Sequence, residues 1–271
     1  MLGGRDFEMQ TIRDLLQEHD VPFVDKGLSW GAKASLYADE IEATLSEGKK
    51  PVLVELELDL PLQQLSNVIV VDHHGIHAGK DIPTSLEQVF KLLQLPIDRW
   101  TRRLELVAAN DRGHIRGMRQ LEIPASDEEI RTIREGDLKA QGISNQELET
   151  ARISATTVDV HCNGRLSVVQ TTGRTGLVAE MMETFFGGPG FINLLVLGTE
   201  QAAFFGEGRW VQRLAHCSPP SPASWFGGAL PEFGFWGGVV SELTFDPLAE
   251  LLSALEEEDT SSTPGGESAA G

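Results

Sequence analysis

A short apolar strand that ends in a carboxylate and two imidazoles constrains this chain more than any other feature. Residues 68–71 read Val-Ile-Val-Val and run directly into Asp72, His73 and His74. In an open α/β sheet, ligands bind at the carboxyl ends of parallel strands, where the loops leave a crevice. Carboxylate and imidazole side chains together suit a divalent ion such as Mn, Fe, Co or Zn. The sequence therefore predicts an α/β fold with a metal site at the end of this strand. A histidine-rich surface loop is the alternative.

The sequence Asp72-His73-His74 resembles the motif that names the DHH phosphoesterase superfamily. This superfamily includes RecJ-type exonucleases, oligoribonucleases, cyclic dinucleotide phosphodiesterases and type II inorganic pyrophosphatases. The resemblance implies a DHH-type domain with a parallel sheet, followed by a smaller α/β domain of the DHHA1 type. It also implies hydrolysis of phosphodiester bonds with two divalent ions. Mn²⁺ is the expected ion, and Mg²⁺ or Co²⁺ are alternatives.

Of two further motifs of the family, this chain matches one fully and one only in part. Ahead of the first long helix the family has His-x-Asp-x-Asp, whereas this chain has Gly4 for the histidine, Asp6 for the first aspartate and Glu8 for the second. The fourth motif of the family is an aspartate that follows a helix rich in small residues, and Asp111 occupies that position. The first motif is therefore divergent and the fourth is intact.

The second motif of the family is an aspartate at the end of the strand before the DHH strand. Here the segment 51–60 carries Glu55, Glu57 and Asp59, which fall on one face of a strand because side chains alternate with period two. A polar face on an exposed strand is the alternative. Glu57 is preferred because it lies nearer the strand end, and Glu55 and Asp59 remain open.

The resemblance thus implies two overlapping sets of site residues. The catalytic residues would be Asp72, His73, His74 and Asp111. The metal ligands would be Asp6, Glu8, Glu57, Asp72, His73 and Asp111. His74 would orient a ligand or contact a phosphate.

A basic patch surrounds Asp111 in an otherwise acidic chain. Arg112, Arg116 and Arg119 follow it closely. Guanidinium groups bind phosphate oxygens in a bidentate manner, so these residues are candidates for substrate binding. Pairing with local acids is the alternative.

The segment from Trp225 to Gly238 combines aromatic residues with paired glycines and resembles the glycine-rich motif of DHHA1 domains. Gly227 and Gly228 would let the backbone approach a substrate, because no side chain intervenes. Trp225 would stack on a base. The histidine that usually follows this motif is missing, and a packed aromatic loop is the alternative.

The pattern of helices and strands divides the chain into four parts. Residues 1–125 form the DHH-like catalytic domain, 126–152 a helical linker, 153–250 the DHHA1-like domain and 251–271 a disordered acidic tail. No membrane span or signal peptide is recognisable, and Cys162 and Cys217 lack metal-ligand spacing. These features predict a reduced, cytoplasmic protein.

The net charge bears on the substrate and on partners. The chain carries 41 acidic and 22 basic residues, for a net charge of −19. An acidic surface opposes the binding of long nucleic acids, so a small nucleotide or a short oligonucleotide is the expected substrate.

A homodimer is compatible with the sequence. Two alternatives remain: a catalytically degenerate binding or assembly subunit, because the first motif is divergent, and a pyrophosphatase, which the lack of a basic cluster in the second domain disfavours.

The net charge also generates a prediction about substrate size. A hydrolysis-blocked Asp72→Asn variant should bind a dinucleotide more tightly than a long single strand. The affinity should depend only weakly on salt, because few counterions are released. Binding measured over a salt series checks this. Tighter binding of the long strand, with a steep negative salt slope, would contradict the charge argument.

Overall fold

The chain folds into two α/β units, which meet in sequence between Ile143 and Ser144. This computed structural model describes residues 1–29, 31–61, 66–74, 82–228 and 230–261. Both units combine helices with a sheet that contains a parallel strand pair, so the expected α/β class is confirmed. The division falls inside the segment 126–152, whose two helices belong to different units.

The first unit contains two parallel strands and five helices in its described part. Val54 of the first strand lies opposite Val71 of the second. The elements are α1 (Phe7–Glu18), α2 (Ala38–Ser46), β1 (Val52–Val54), β2 (Ile69–Val71), α3 (Ser85–Leu92), α4 (Arg102–Arg119) and α5 (Asp127–Ala140).

Local sequence explains where these helices begin. Thr84 and Glu87 form a capping box at the start of α3, and Ser126 and Glu129 form another at the start of α5. Both boxes have the Ser/Thr-x-x-Glu sequence by which this motif is recognised. Helix α4 is kinked, because Gly113 and the residue after it have non-helical backbone angles. The kink lies just beyond Asp111.

The second unit is built on a six-stranded sheet with the order β3-β4-β5-β6-β8-β7. Only β4 and β5 are parallel, and the other described pairs are antiparallel. The elements are α6 (Asn145–Ala155), β3 (Asp159–His161), β4 (Leu166–Gln170), α7 (Thr175–Met182), β5 (Leu194–Leu197), β6 (Gln201–Glu207), α8 (Gly208–Cys217), β7 (Ser224–Gly227), β8 (Phe233–Val239) and α9 (Pro247–Ser261). Short 3-10 helices cover Ala34–Tyr37, Ile97–Arg99, Cys162–Gly164, Thr184–Phe186 and Val240–Glu242.

Helices α8 and α9 cover one face of the six-stranded sheet. Trp236 and Phe204 of the sheet are fully buried against Trp210 of α8 and Leu251 and Leu255 of α9. The prediction of a disordered tail from residue 251 is therefore wrong for residues 251–261. The acids at 256–258 suggested a tail, but apolar residues just before them extend the helix into the core. Residues 262–271 lie outside the described residues.

None of the helices in the described part of the chain is both long enough and apolar enough to cross a membrane.

The burial of α9 generates a prediction about stability. Leu255 is 1% exposed, so Leu255→Ala should lower the free energy of unfolding by about 2–5 kcal/mol, measured by urea denaturation. The exposed Ser253 on the same helix is the matched control, and Ser253→Ala should change that free energy by less than about 0.5 kcal/mol. Equal, small effects of both substitutions would place α9 outside the core.

Candidate metal centre

The candidate metal centre lies at the carboxyl ends of the two parallel strands. Glu55 follows β1 directly, and Asp72 follows β2 directly. The backbone N–H of Glu55 donates a hydrogen bond of 2.9 Å to the carbonyl of Val71, which keeps the two strand ends together. Because parallel strands end at the same edge of a sheet, this arrangement gathers acidic side chains at one point.

Four side chains form the centre of the cluster. One ligand atom from each of Glu55, His73, His74 and Asp111 lies within 4.8 Å of the others. His73 Nε2 is 2.6 Å from Asp111 Oδ2, and His73 Nδ1 is 3.9 Å from Glu55 Oε1. His74 Nδ1 is 3.8 Å from the same Glu55 oxygen. Two imidazoles and two carboxylates thus converge from three separate segments of the chain.

Asp6 and Glu8 bring two more carboxyl groups to this cluster. Burial raises the pKa of Asp6 to about 7, and the negative charges of Glu55 and Asp111 add to this rise. Burial also raises the pKa of Glu8 well above its usual range, with Asp111 and Glu55 as further causes. The pKa of Glu55 is raised by burial and by Asp111. Each acid therefore raises the pKa of its acidic neighbours, as expected for carboxyl groups that are close together.

Backbone groups hold three of these carboxyl groups by one oxygen each. Asp6 Oδ1 accepts a hydrogen bond of 2.8 Å from the N–H of Met9, as the N-cap of α1. Glu8 Oε1 accepts one of 2.9 Å from the N–H of Leu86 at the start of α3. Asp72 Oδ1 accepts one of 2.8 Å from the N–H of His74. In each case the second oxygen is left for another partner.

Buried carboxylate oxygens without a hydrogen-bond donor are expected in a cluster that shares a proton or binds a cation. Glu8 Oε2 and both side-chain oxygens of Glu55 are buried and receive no hydrogen bond within the described part of the chain. Leaving ionised carboxylates without a donor is costly, unless one of them is protonated or a cation binds. Carboxylate and imidazole donors suit Mn²⁺, Mg²⁺ or Co²⁺.

The two histidines have different surroundings. His73 is held between Asp111 and Ser85, whose Oγ is 3.4 Å from His73 Nδ1. Burial alone would lower the pKa of His73, but the hydrogen bond and charge of Asp111 raise it overall. His74 is more exposed, at 34% of its side chain, and its Nδ1 lies 3.2 Å from Asp72 Oδ1. His73 is thus the more enclosed of the two histidines, and His74 the more accessible.

The preferred second-motif ligand, Glu57, lies outside the cluster. Glu57 is exposed, and its backbone pairs with Ala32 and Ala34 instead. Asp59 is also exposed and accepts hydrogen bonds from Ser35. Glu55, the alternative left open, is the acid that reaches the centre. The predicted alternation fails because the strand ends at residue 54 and Glu55 has a positive φ of 51°, which turns the chain away from β geometry.

Two of the three arginines around Asp111 form ion pairs with acidic residues. Arg112 forms an ion pair of 2.5 Å with Glu87, and Arg119 one of 3.1 Å with Asp127. Arg116 is half-buried on the same helix and also has a partner. Local pairing, the alternative reading of this patch, therefore describes Arg112 and Arg119.

The predicted glycine-rich loop is a β-hairpin formed by β7 and β8. Trp225 lies opposite Gly237, and Gly227 lies opposite Phe235. A side chain at Gly237 would collide with the Trp225 ring, since an ideal Cβ would stand 2.4 Å from Trp225 Cε2. Gly228 follows with a φ of 108°, a conformation that favours glycine. Trp225 and Phe235 therefore lie across glycines as partly exposed rings, at 39% and 40% exposure.

No protein-family model and no curated protein matches this sequence. Solved structures are nevertheless similar over nearly the whole chain. The exopolyphosphatase-related protein from Bacteroides fragilis has 14% identity and a TM-score of 0.44, covering 94% of this chain and 88% of that one. The exonuclease RecJ bound to manganese has 12% identity and a TM-score of 0.40, covering 97% and 89%. The DHH domain of a member of the S1p family of ribosomal proteins has 11% identity and a TM-score of 0.36, covering 93% and 73%.

RecJ and this DHH domain belong to the superfamily that the Asp72-His73-His74 sequence resembles. At TM-scores of 0.36–0.44 the similarities assign no role to any residue, and the roles proposed below rest on the geometry of the site.

The raised carboxyl pKa values generate a prediction about pH. A carboxyl group whose pKa is higher in the folded than in the unfolded chain makes stability fall as pH rises between those two values. For Asp6 that window runs from 3.8 to about 7. In metal-free protein, Asp6→Asn should therefore raise the melting temperature at pH 8 by about 3 °C or more, and change it little at pH 4. Asparagine preserves the helix cap.

The exposed Glu42 provides the control, since Glu42→Gln should leave the pH dependence of the melting temperature unchanged. Adding Mn²⁺ at pH 8 should stabilise the wild type more than Asp6→Asn, because the bound ion would neutralise the ionised carboxylates and Asp6 is one of its proposed ligands. Equal pH dependence of the wild type and Asp6→Asn would show that Asp6 lies apart from the other acids.

Proposed function

We propose that this chain is a divalent-metal-dependent phosphoesterase that hydrolyses phosphodiester bonds of short oligonucleotides or small, including cyclic, nucleotides. The observation that carries the proposal is the convergence of Glu55, His73, His74 and Asp111 at the ends of two parallel strands. Asp6 and Glu8 add carboxyl groups whose pKa values respond to the same cluster. Such a carboxylate-rich set has enough donor atoms for two ions, and Mn²⁺ is the expected metal.

The residues that would hold the ions are Asp6, Glu8, Glu55, Asp72, His73 and Asp111. When bound, the ions would supply Lewis-acid stabilisation of the negative charge that develops during phosphoryl transfer. The chain itself orients the donors: Met9, Leu86 and His74 fix one oxygen of their carboxylate partners through backbone N–H groups. Because these carboxylates are already held in place, they would move little when substrate binds.

His74 is the residue we assign to the substrate side. Its imidazole is the more exposed of the pair, and Asp72 accepts at its Nδ1. A carboxylate at Nδ1 favours the tautomer with the proton on that nitrogen, which leaves Nε2 for a substrate. His74 would therefore contact the phosphate of a bound substrate.

The substrate proposal rests on the partly exposed rings of the second unit and on the charge of the chain. Trp225 and Phe235 offer flat, partly exposed surfaces on which one or two bases would stack. Arg112, paired with Glu87, would have to exchange that partner to bind a phosphate. A cytoplasmic location is likewise part of the proposal.

A binding or assembly subunit without hydrolysis is the second candidate function. Gly4 favours it: this buried residue stands beside Asp6 and Glu55 and provides no side chain to the cluster. An ideal Cβ at Gly4 would lie 3.1 Å from Glu55 Oε2 and 3.2 Å from Asp6 Oδ2. The cluster thus lacks an imidazole at a position where the resemblance implies one.

Hydrolysis assays separate the two functions. Wild type with Mn²⁺ should cleave members of a panel of short oligonucleotides and cyclic dinucleotides, and EDTA should abolish the activity. His73→Ala and Asp111→Asn should each lower kcat/KM by about a hundredfold or more, because each removes a proposed metal ligand. His216→Ala, an exposed histidine of α8, should have no effect. Trp225→Ala should raise KM and leave kcat almost unchanged.

Turnover that survives EDTA or His73→Ala would contradict the proposal. Tight Mn²⁺ binding with no turnover of any substrate would favour the binding subunit instead.

A further inference from the structure

A buried ion pair on α5 lies beside the candidate metal centre and provides none of its proposed ligands. Arg134 and Asp137 are 4% and 5% exposed, and Arg134 Nη1 lies 2.6 Å from Asp137 Oδ2. Gln141 Nε2 donates a further hydrogen bond of 3.1 Å to the same oxygen. A buried ion pair often contributes no more to stability than apolar residues of the same size, so its presence calls for another reason.

Both members of the pair contact the segments that carry metal-centre carboxylates. Asp137 Oδ1 accepts a hydrogen bond of 3.0 Å from the backbone N–H of Phe7, the residue between Asp6 and Glu8. Arg134 Nη1 donates one of 2.9 Å to the side-chain oxygen of Asn110, the residue before Asp111. The pair therefore connects the start of α1 to the middle of α4, although Phe7 and Asn110 are 103 positions apart in the sequence.

Close packing supports the same connection. An ideal Cβ at Gly136 would stand 2.6 Å from the Phe7 ring, so α5 lies directly against the first residue of α1. A shift of α5 would move Phe7 and, with it, the carboxyl groups on either side. Helix α5 thus sets the position of the first motif relative to the fourth.

We infer that Arg134 and Asp137 are positioning residues of the metal centre: their ion pair holds the start of α1 and the middle of α4 so that Asp6, Glu8 and Asp111 converge. The inference rests on the proposed metal centre. It gives a role in the site to a helix that the sequence suggested was a linker. Groups that orient metal ligands in this way affect metal affinity strongly without contacting the ion.

The test removes the pair without leaving a buried charge. The double variant Arg134→Met/Asp137→Leu replaces both ionic groups by apolar ones of similar size, an exchange that folded proteins commonly tolerate. Its affinity for Mn²⁺, measured by calorimetry, should fall by about tenfold or more. The control is Arg99→Met/Glu18→Leu, which removes an exposed ion pair between the end of α1 and the Ile97–Arg99 helix that precedes α4. This control should stay within about twofold of wild type.

A coupling measurement distinguishes positioning from a general loss of structure. In an Asp6→Asn background, the Arg134→Met/Asp137→Leu exchange should reduce Mn²⁺ affinity by a smaller factor than in wild type, because part of its effect acts through Asp6. Equal factors in the two backgrounds, or an unchanged affinity of the folded double variant, would overturn the inference.

A measurement on the wild type decides the matter if the double variant does not fold. Metal binding should slow backbone hydrogen exchange in residues 5–9 and also in residues 134–140 of α5, because coupling between the two segments is reciprocal. Protection confined to residues 5–9 would contradict the inference, as would a wild type that binds no Mn²⁺. A wild type that binds Mn²⁺ without hydrolysing any substrate contradicts the proposed function alone, since positioning is read from binding.

Discussion

Repulsion between buried carboxylates is the constraint on which the first unit depends. Glu8 and Glu55 are nearly inaccessible, and the pKa of Asp6 is raised to about 7 by burial and by its acidic neighbours. Two like unit charges about 4 Å apart repel each other by roughly 4 kcal/mol near a protein surface. Several such pairs would cancel a large part of a domain's free energy of unfolding. A fold keeps such a cluster only if protons or cations neutralise it. Backbone hydrogen bonds to one side-chain oxygen of Asp6 and one of Glu8 hold these two acids in place whether protons or cations neutralise the cluster.

The parallel strand pair explains why the cluster forms where it does. Residues Val54 and Val71 lie side by side, so whatever follows each strand is placed at one edge of the sheet. Glu55 and Asp72 occupy those positions. The remaining carboxylates lie at the start of α1 and on α4, outside the sheet. Strand pairing does not determine where these two helices lie. That is why the buried contacts of α5 with both helices matter for the site.

The sequence predicted the parts of this site that local patterns control. The strand before Asp72 depends only on neighbouring apolar residues, and the structure has a strand there as expected. The choice between Glu55 and Glu57 depended on a single backbone angle, which no periodicity reveals. Likewise Arg134 and Asp137 looked like ordinary polar residues of a charged helix. Only the tertiary structure shows that both are buried, with Asp137 bonded to Phe7 and Arg134 to Asn110.

The departures from the family pattern at the first and second motifs are related, because Gly4 and the side chain of Glu55 share the same space. At Gly4 there is room for no more than a small group before Glu55 Oε2 and Asp6 Oδ2 are reached. The longer side chain of Glu55, where the resemblance implies an aspartate, brings its carboxylate into that space. An imidazole at position 4 and a glutamate at position 55 would compete for the same volume, so each departure accommodates the other. The imidazole is lost and the carboxylate is kept, so oxygen donors make up a larger share of the cluster, and oxygen donors are the ligand type that suits harder divalent ions.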